Sequence, residues 1–529
     1  NSGEPRQVAL NGTSSANLPV TVNGFGLASA QASTTRAVEL YSVSTNNLSR
    51  VEVVQSPTPE SPGSALAGYV NMVTQSAFDR TRPLFTGTVF LLMRDNARDF
   101  HRSPAPNNRM TRKVNPGFDF SYIAPVSSRW GFTVSGSRSE QYQDSRTMLT
   151  TWRGASGATN GGTLPDTTPD RPYLTDYSFT HGPRTESRSS AGATIDLRAG
   201  PSPRLSLAVH RVDFGAEFHN RTLAFLVNRV APGDFSLAHT HGFAGAGEVR
   251  LTNSGRHRSG SSLSPSLTLR HHGSVWRAEA GLGHSQANTI FRDLERGFFQ
   301  SSLARRTGVT VSFSDISYLR PGVVTVTDPA TGAAVDYTRL ANYALATAGS
   351  TASESYDLQR TAYANLARDL PAAVPLTLKA GLDLRESRRD LRGLNSPYSF
   401  VGADGRASTV PAGGDDGAGP VLDEAFSRRI PGFGFPGIQW VDNEALLRLQ
   451  RANPSWFTAD LNGAYRNATN LSKHAEEVVS AFFLRADAAL AGRRLRLTGG
   501  VRAEQTNVSA EGPLTDAARN FQRDAAGRV

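Results

Sequence analysis

The stretch Pro375-Leu376-Thr377-Leu378-Lys379-Ala380-Gly381-Leu382-Asp383-Leu384-Arg385-Glu386 alternates apolar and polar residues. Successive side chains of a β-strand point to opposite faces. Leu376, Leu378, Ala380, Leu382 and Leu384 therefore share an apolar face, and Thr377, Lys379, Gly381, Asp383 and Arg385 a wet one. Residues 494–504 repeat the pattern, with Leu495, Leu497, Gly499, Val501 and Ala503 opposite Arg494, Arg496, Thr498, Arg502 and Glu504. Residues 355–367 do the same with one intruder, Arg360, on the face of Tyr356, Leu358, Ala362, Ala364 and Leu366. Similar alternation predicts strands near 84–94, 117–125, 129–140, 188–198, 203–214, 261–271, 275–287 and 478–490, eleven in all.

These segments are longer than the roughly five or six residues of a usual soluble strand and suit the roughly 9–11 tilted residues that cross a bilayer. Their connections alternate in length. Short ones fall at Pro125–Ser128, Ala199–Ser202, His272–Ser274, Asp369–Val374 and Ala491–Arg493. Long ones rich in Gly, Pro, Ser, Asn and Asp fall at 95–116, 141–187, 215–260, 288–354 and 387–477. All short turns then lie at one end of the strands and all large loops at the other, the asymmetry of an outer-membrane barrel. A soluble all-β protein with one buried sheet face is the competing reading, but nothing in it requires that asymmetry. Within the last long loop, residues 422–452 carry Trp440, Leu446, Leu447 and Leu449 at helical spacing, predicting a short loop helix or a core-packing one.

Composition narrows the function. The chain has 529 residues, of which 38% are hydrophobic and 19% charged, with no Cys and a formal charge of +10. No apolar run reaches the roughly 18 residues of a transmembrane helix. The absence of Cys excludes disulfide frameworks, thiolate metal sites and cysteine nucleophiles. Only Lys113, Lys379 and Lys473 are lysines among 56 basic residues, and the arginines are scattered singly. No basic helix or stripe with interleaved aromatics marks a nucleic-acid partner. The chain starts at Asn1 without a readable targeting segment.

Residues 1–80 read as a small mixed α+β domain, with short strands at Gln7–Leu10, Val20–Asn23 and Val51–Val54. Two stretches stand out: Leu48-Ser49-Arg50-Val51-Glu52-Val53-Val54-Gln55-Ser56-Pro57, and Pro62-Gly63-Ser64-Ala65-Leu66-Ala67-Gly68-Tyr69-Val70-Asn71-Met72-Val73-Thr74. Together they resemble the end of the plug domain in TonB-dependent outer-membrane receptors, which reads R-[IV]-E-V-x-x-[GS]-P, then G-S, then G-x-[IV]-N-[IL]-[VIT]-[TS]. Leu18-Pro19-Val20-Thr21-Val22-Asn23-Gly24 resembles the family's V-x-[VI]-[DN]-G strand and turn. The chain departs from the pattern at Gln55 and Ser56, where a basic residue and Gly are common, and at Ala67 and Tyr69 near Gly68.

The resemblance implies an all-β transmembrane barrel filled by an N-terminal plug, here residues 1–80 as the plug's C-terminal portion and 81–529 as barrel. It implies a bacterial outer-membrane location and outer-membrane lipid around the wall. It also implies energised uptake of a scarce ligand of the siderophore, cobalamin or oligosaccharide class, with the TonB complex of the inner membrane as partner. Family barrels have 22 strands, and single-chain barrels use even numbers, so eleven strands lead us to expect a fragment. The signal peptide, TonB box, early plug strands and C-terminal aromatic strand are expected to lie outside this chain. By the same resemblance Arg50, Glu52, Pro57, Gly63, Gly68 and Asn71 are plug-motif residues, with Arg50 and Glu52 either charges that gate the plug against the barrel wall or an exposed strand-face pair.

His239-Thr240-His241, in a long loop, offers two imidazoles as ligand contacts, and Phe433, Phe435 and Trp440 are candidate stacking residues. His271 and His272 sit at a turn. Gly432-Phe433-Gly434-Phe435-Pro436-Gly437 matches a dinucleotide fingerprint by letter, but Pro431 and Pro436 deny it the strand and helix that fingerprint needs. No Gly-Lys or His-Glu pair occurs, so neither a P-loop nor a His-Glu-x-x-His zinc site exists. Asp415 and Asp416 lie in a Gly-rich loop without an apolar pocket to separate their pKa values. No cofactor and no catalytic constellation is expected. The rivals to transport are an outer-membrane binding or adhesion barrel and, further off, a β-rich hydrolase.

Overall fold

The computed structural model describes residues 8–10, 12–30, 37–38, 48–65, 67–104, 110–318, 320–371, 374–408, 414–492, 494–514 and 524–528. Parts of the expected strand at Gln7–Leu10 and of the turns at 369–374 and 491–493 lie outside these residues, as do Leu66 and Val529.

The N-terminal strands are β1 (Val20–Val22), β2 (Phe25–Gly26), β3 (Leu48–Val54) and β4 (Tyr69–Thr74). They form a separate sheet in the order β2-β1-β4-β3 around Leu18, Val20, Val70 and Met72. The strands that follow are β5 (Leu84–Leu92), β6 (Ser103–Pro104), β7 (Met110–Thr111), β8 (Asn115–Ala124), β9 (Trp130–Arg153), β10 (Tyr173–Arg198) and β11 (Pro203–Leu226). Next come β12 (Val230–Phe235), β13 (Thr240–Gly242), β14 (Gly247–His272), β15 (Trp276–Phe291), β16 (Ser301–Ser314), β17 (Val323–Thr327) and β18 (Ala344–Leu370). The last are β19 (Leu376–Phe400), β20 (Phe457–Ala459), β21 (Lys473–Leu490) and β22 (Leu495–Glu511), with helices α1 (Glu424–Ser427), α2 (Asn443–Ala452) and α3 (Leu461–Leu471) among the last outer loops.

Eleven strands make a continuous antiparallel wall, β5-β8-β9-β10-β11-β14-β15-β18-β19-β21-β22. Each corresponds to one of the eleven sequence segments, but most run much further toward the long-loop end. β10 and β14 have 26 residues each and β18 has 27. Much of what the sequence reading assigned to loops is wall. Above residue 291 the place of β15 is taken by β16, which pairs with the upper part of β14 and with β18.

The lower part of the wall is inverted relative to a soluble protein. Ile195, Leu207, Leu269, Leu282, Leu382 and Val501 are exposed, and Leu282 and Leu382 are each 59% accessible. Large apolar side chains exposed along one strand after another mark a surface that meets lipid or another protein. About ten strand residues at ~3.4 Å each, tilted ~40°, span roughly 25 Å, the height of a lipid-facing barrel belt. Arg360, the intruder, stands at the upper limit of this belt and is paired there with Glu386 at 3.1 Å. The opposite face is polar, as in the Asp383, Arg385 and Arg502 cluster, with N–O distances of 3.0 and 3.3 Å. No helix among the described residues is long and apolar enough to cross a membrane. An antiparallel wall with an exposed apolar belt on one face and polar groups on the other has the side-chain arrangement of an outer-membrane barrel sheet.

Candidate functional site

The polar inner face of the wall holds the N-terminal sheet. That sheet and the wall share no backbone ladder among the described residues; side chains and loop backbone join them. The Ser29 N–H donates to Asp357 Oδ2 at 2.7 Å, and Arg389 donates both to that carboxylate at 3.0 Å and to Ser29 O at 2.9 Å. Asp196, fully buried, accepts from Ser76 Oγ and from the Ala77 N–H, each at 2.8 Å. Glu60 bridges Lys379 and Arg485 of two wall strands. The Phe25 ring lies 5.7 Å from that of Tyr363, and a Cβ on Gly281 or Gly283 would strike it at 2.8 or 2.4 Å. Wall glycines thus make room for an aromatic ring of the N-terminal sheet. A cavity of about 40 Å³ lined by Phe25, Leu27, His210 and His284 remains beside it, room for little more than a water.

Each motif residue of this sheet has a physical task. Asn71 joins three strands: its Oδ1 accepts from Thr21 Oγ1 and the Gly24 N–H, both at 2.9 Å, and its Nδ2 donates to Glu52 Oε2 at 2.9 Å. That bond, with Arg50 beside it, holds the Glu52 carboxyl below its usual range. Arg50 pairs with Glu52 itself, Nη2 to Oε1 at 2.7 Å, and stays largely exposed. The side-chain partners of Arg50 and Glu52 here lie within the N-terminal sheet itself. Pro57 is exposed just beyond the end of β3. Gly63 donates its N–H to wall residue Glu504 at 3.2 Å. Gly68 has φ +104°, and a Cβ there would sit 2.1 Å from Val54 O. Gly68→Ala should therefore destabilise this sheet by about 1–3 kcal/mol from the backbone alone, with the clash added. Faster protease cleavage within residues 48–80 would show it, and a wild-type cleavage rate would refute it.

At the other end, the upper parts of the strands and the segment 419–452 build a second core. Tyr173, Phe179, Phe225, Val249, Phe313, Phe426, Trp440 and Leu446 are buried together. Segment 419–452 is folded into this core. Asp423 caps α1 through the Phe426 N–H at 2.9 Å and pairs with Arg221 of β11 at 2.6 Å, both side chains being 4% exposed. The Arg221 guanidinium lies 3.7 Å from the Phe426 ring centroid. Beside it, His181 bonds Asp144 at 2.6 Å, and Arg429 and Arg146 each reach that carboxylate at 3.1 Å. Burial opposes ionisation of Asp144, but the His181 hydrogen bond and the two guanidiniums outweigh it and bring the carboxyl down to about 2. Burial lowers the His181 pKa despite that partner.

The structure corrects one candidate contact. Trp440 is 1% exposed and its backbone N–H donates to Ser427 Oγ, so it is a core residue. The helix expected within 422–452 is α2, capped by Asp442, with Leu446 and Leu447 buried. Phe435 is partly buried against Phe179 and Tyr177, with centroids 5.3 and 6.2 Å away. Phe433 is exposed, in a turn where it and both flanking glycines have positive φ. His239 and His241 lie on the β12–β13 hairpin, remote in sequence from the aromatic turn. Asp415 and Asp416 accept backbone N–H groups of residues 404 and 408, a loop-folding role.

No family model and no curated protein matches the chain. Among solved structures it is similar to the unliganded ferric citrate transporter FecA, at 10% identity and TM-score 0.25, covering 94% of this chain and 66% of that one. It is also similar to the siderophore receptor PirA from Pseudomonas aeruginosa, at 10% identity and TM-score 0.25, covering 95% and 84%. The Fiu ferric-catecholate import receptor from E. coli K12 matches at 9% identity and TM-score 0.25, covering 96% and 73%. The chain spans just under two thirds of the length of the first of these.

Proposed function

We propose that this chain is the plug end and eleven wall strands of a TonB-dependent outer-membrane receptor, which takes up a scarce ligand of the siderophore, cobalamin or oligosaccharide class through energised displacement of the plug. The observation that carries the reading is a small separate sheet, bearing the plug-type motif, packed on the polar face of a lipid-belted wall through side-chain and loop contacts alone. Such contacts break and reform without disturbing the wall ladders. The outer loops and the plug apex hold the ligand in this reading, and no bond is made or broken. The test is to delete the encoding gene in its source organism, or TonB alone, and follow radiolabelled ferric siderophores, cobalamin and oligosaccharides into cells. Accumulation of one ligand should fall to background in both strains. Unchanged accumulation of all of them would overturn transport, and binding without accumulation in wild-type cells would favour an adhesion barrel.

A further inference from the structure

We propose that Asp234, His239 and His241 form a site for a divalent first-row transition metal on the outer face of the β12–β13 hairpin. One donor atom from each residue lies within 4.8 Å of those of the other two. The hairpin backbone creates this convergence. Phe235 pairs with Thr240, and the neighbouring Asp234 side chain comes within hydrogen-bond reach of the His241 ring. Strand alternation turns buried Thr240 inward and leaves His239 and His241 on one face. Their rings stack at 4.9 Å with 29° between planes. His241 Nδ1 is 2.6 Å from Asp234 Oδ1, and His239 Nδ1 is 2.8 Å from Ser236 Oγ, which leaves Nε2 of His239 as its outward nitrogen.

The scaffold beneath is rigid. Thr240 and His241 pair with Phe313 and Ser312 of β16, the Phe235 ring lies 4.1 Å from that of buried Tyr173, and the Ile316 N–H donates to Ala238 O at 3.0 Å. Asp234 and His241 are each 47% exposed, so an ion reaches them from solvent. Two imidazoles and one carboxylate suit zinc, copper or nickel. Zn–N and Zn–O bonds of about 2.0–2.2 Å put tetrahedral donors roughly 3.5 Å apart, so side-chain rotations of about 1 Å close the site and leave one coordination position open. The inference does not rest on the transport reading.

Zinc titration of the whole chain, folded in detergent and stripped with a chelator, tests it by calorimetry. We expect one equivalent bound, with affinity weakened at least about 100-fold in His239→Ala and in His241→Ala. Asp234→Asn, which keeps the side-chain shape, should weaken it as well, while His271→Ala/His272→Ala should bind as wild type does. Cobalt in place of zinc should give a visible absorption band that the His241→Ala protein lacks. Zinc affinity unchanged in His239→Ala and His241→Ala, or no stoichiometric binding by the wild type, would overturn the proposal.

Discussion

Arg221→Met is expected to release the outer core from the wall. Arg221 and Asp423 are both almost fully buried and 2.6 Å apart. Removing the guanidinium leaves the Asp423 carboxylate enclosed without its cation, a loss worth about 3–5 kcal/mol. Residues 424–452 should then exchange their backbone amide hydrogens far faster than in the wild type, as mass spectrometry would read. The double variant Arg221→Met/Asp423→Asn should recover most of the protection, because Asn still accepts the Phe426 N–H as a helix cap and no charge is left unpaired. Wild-type exchange in Arg221→Met would show that the pair does not hold the loop.

Leu282→Arg should be the most damaging change on the wall. Leu282 lies within the apolar belt, across from Ala362 and two residues below the level of Arg360, with its side chain 59% exposed, and a cation facing lipid costs up to about 2–4 kcal/mol, depending on depth. On the opposite face Asn365→Arg should cost less, since Asn365 lies across from Glu279 and meets no lipid. Denaturant unfolding from lipid vesicles compares the two. Equal losses would mean that the exposed apolar face does not meet lipid.

The lower half of the wall strands was legible because a sheet with one apolar and one polar face demands strict alternation: Leu378, Leu382 and Leu384 stand on the exposed apolar face while Lys379 and Asp383 stand on the polar one, in ion pairs. Above the belt that demand ends. Stretches such as Gln141-Tyr142-Gln143-Asp144-Ser145-Arg146 of β9 carry polar groups on both faces, so the same strand becomes unreadable halfway along. In β16, Val309, Val311 and Phe313 do alternate, and that signal was available inside a run taken as loop. For Trp440 the sequence offers two readings, a stacking contact or part of a core-packing segment, and only the distant strands of the outer core decide for the second. The histidine pair was visible at once. Its carboxylate partner was not, since only the folded hairpin brings Asp234 within reach of His241.

The separation of the N-terminal sheet from the wall has a mechanical meaning. Among the described residues, a force applied to the N-terminal sheet does not shear a β-ladder shared with the wall, where many parallel bonds would have to fail together. It meets scattered contacts, at Ser29, Glu60, Gly63, Ser76 and Ala77, that yield in succession. The peak load is then set by the strongest single attachment rather than by their sum, and the wall keeps its stiffness throughout.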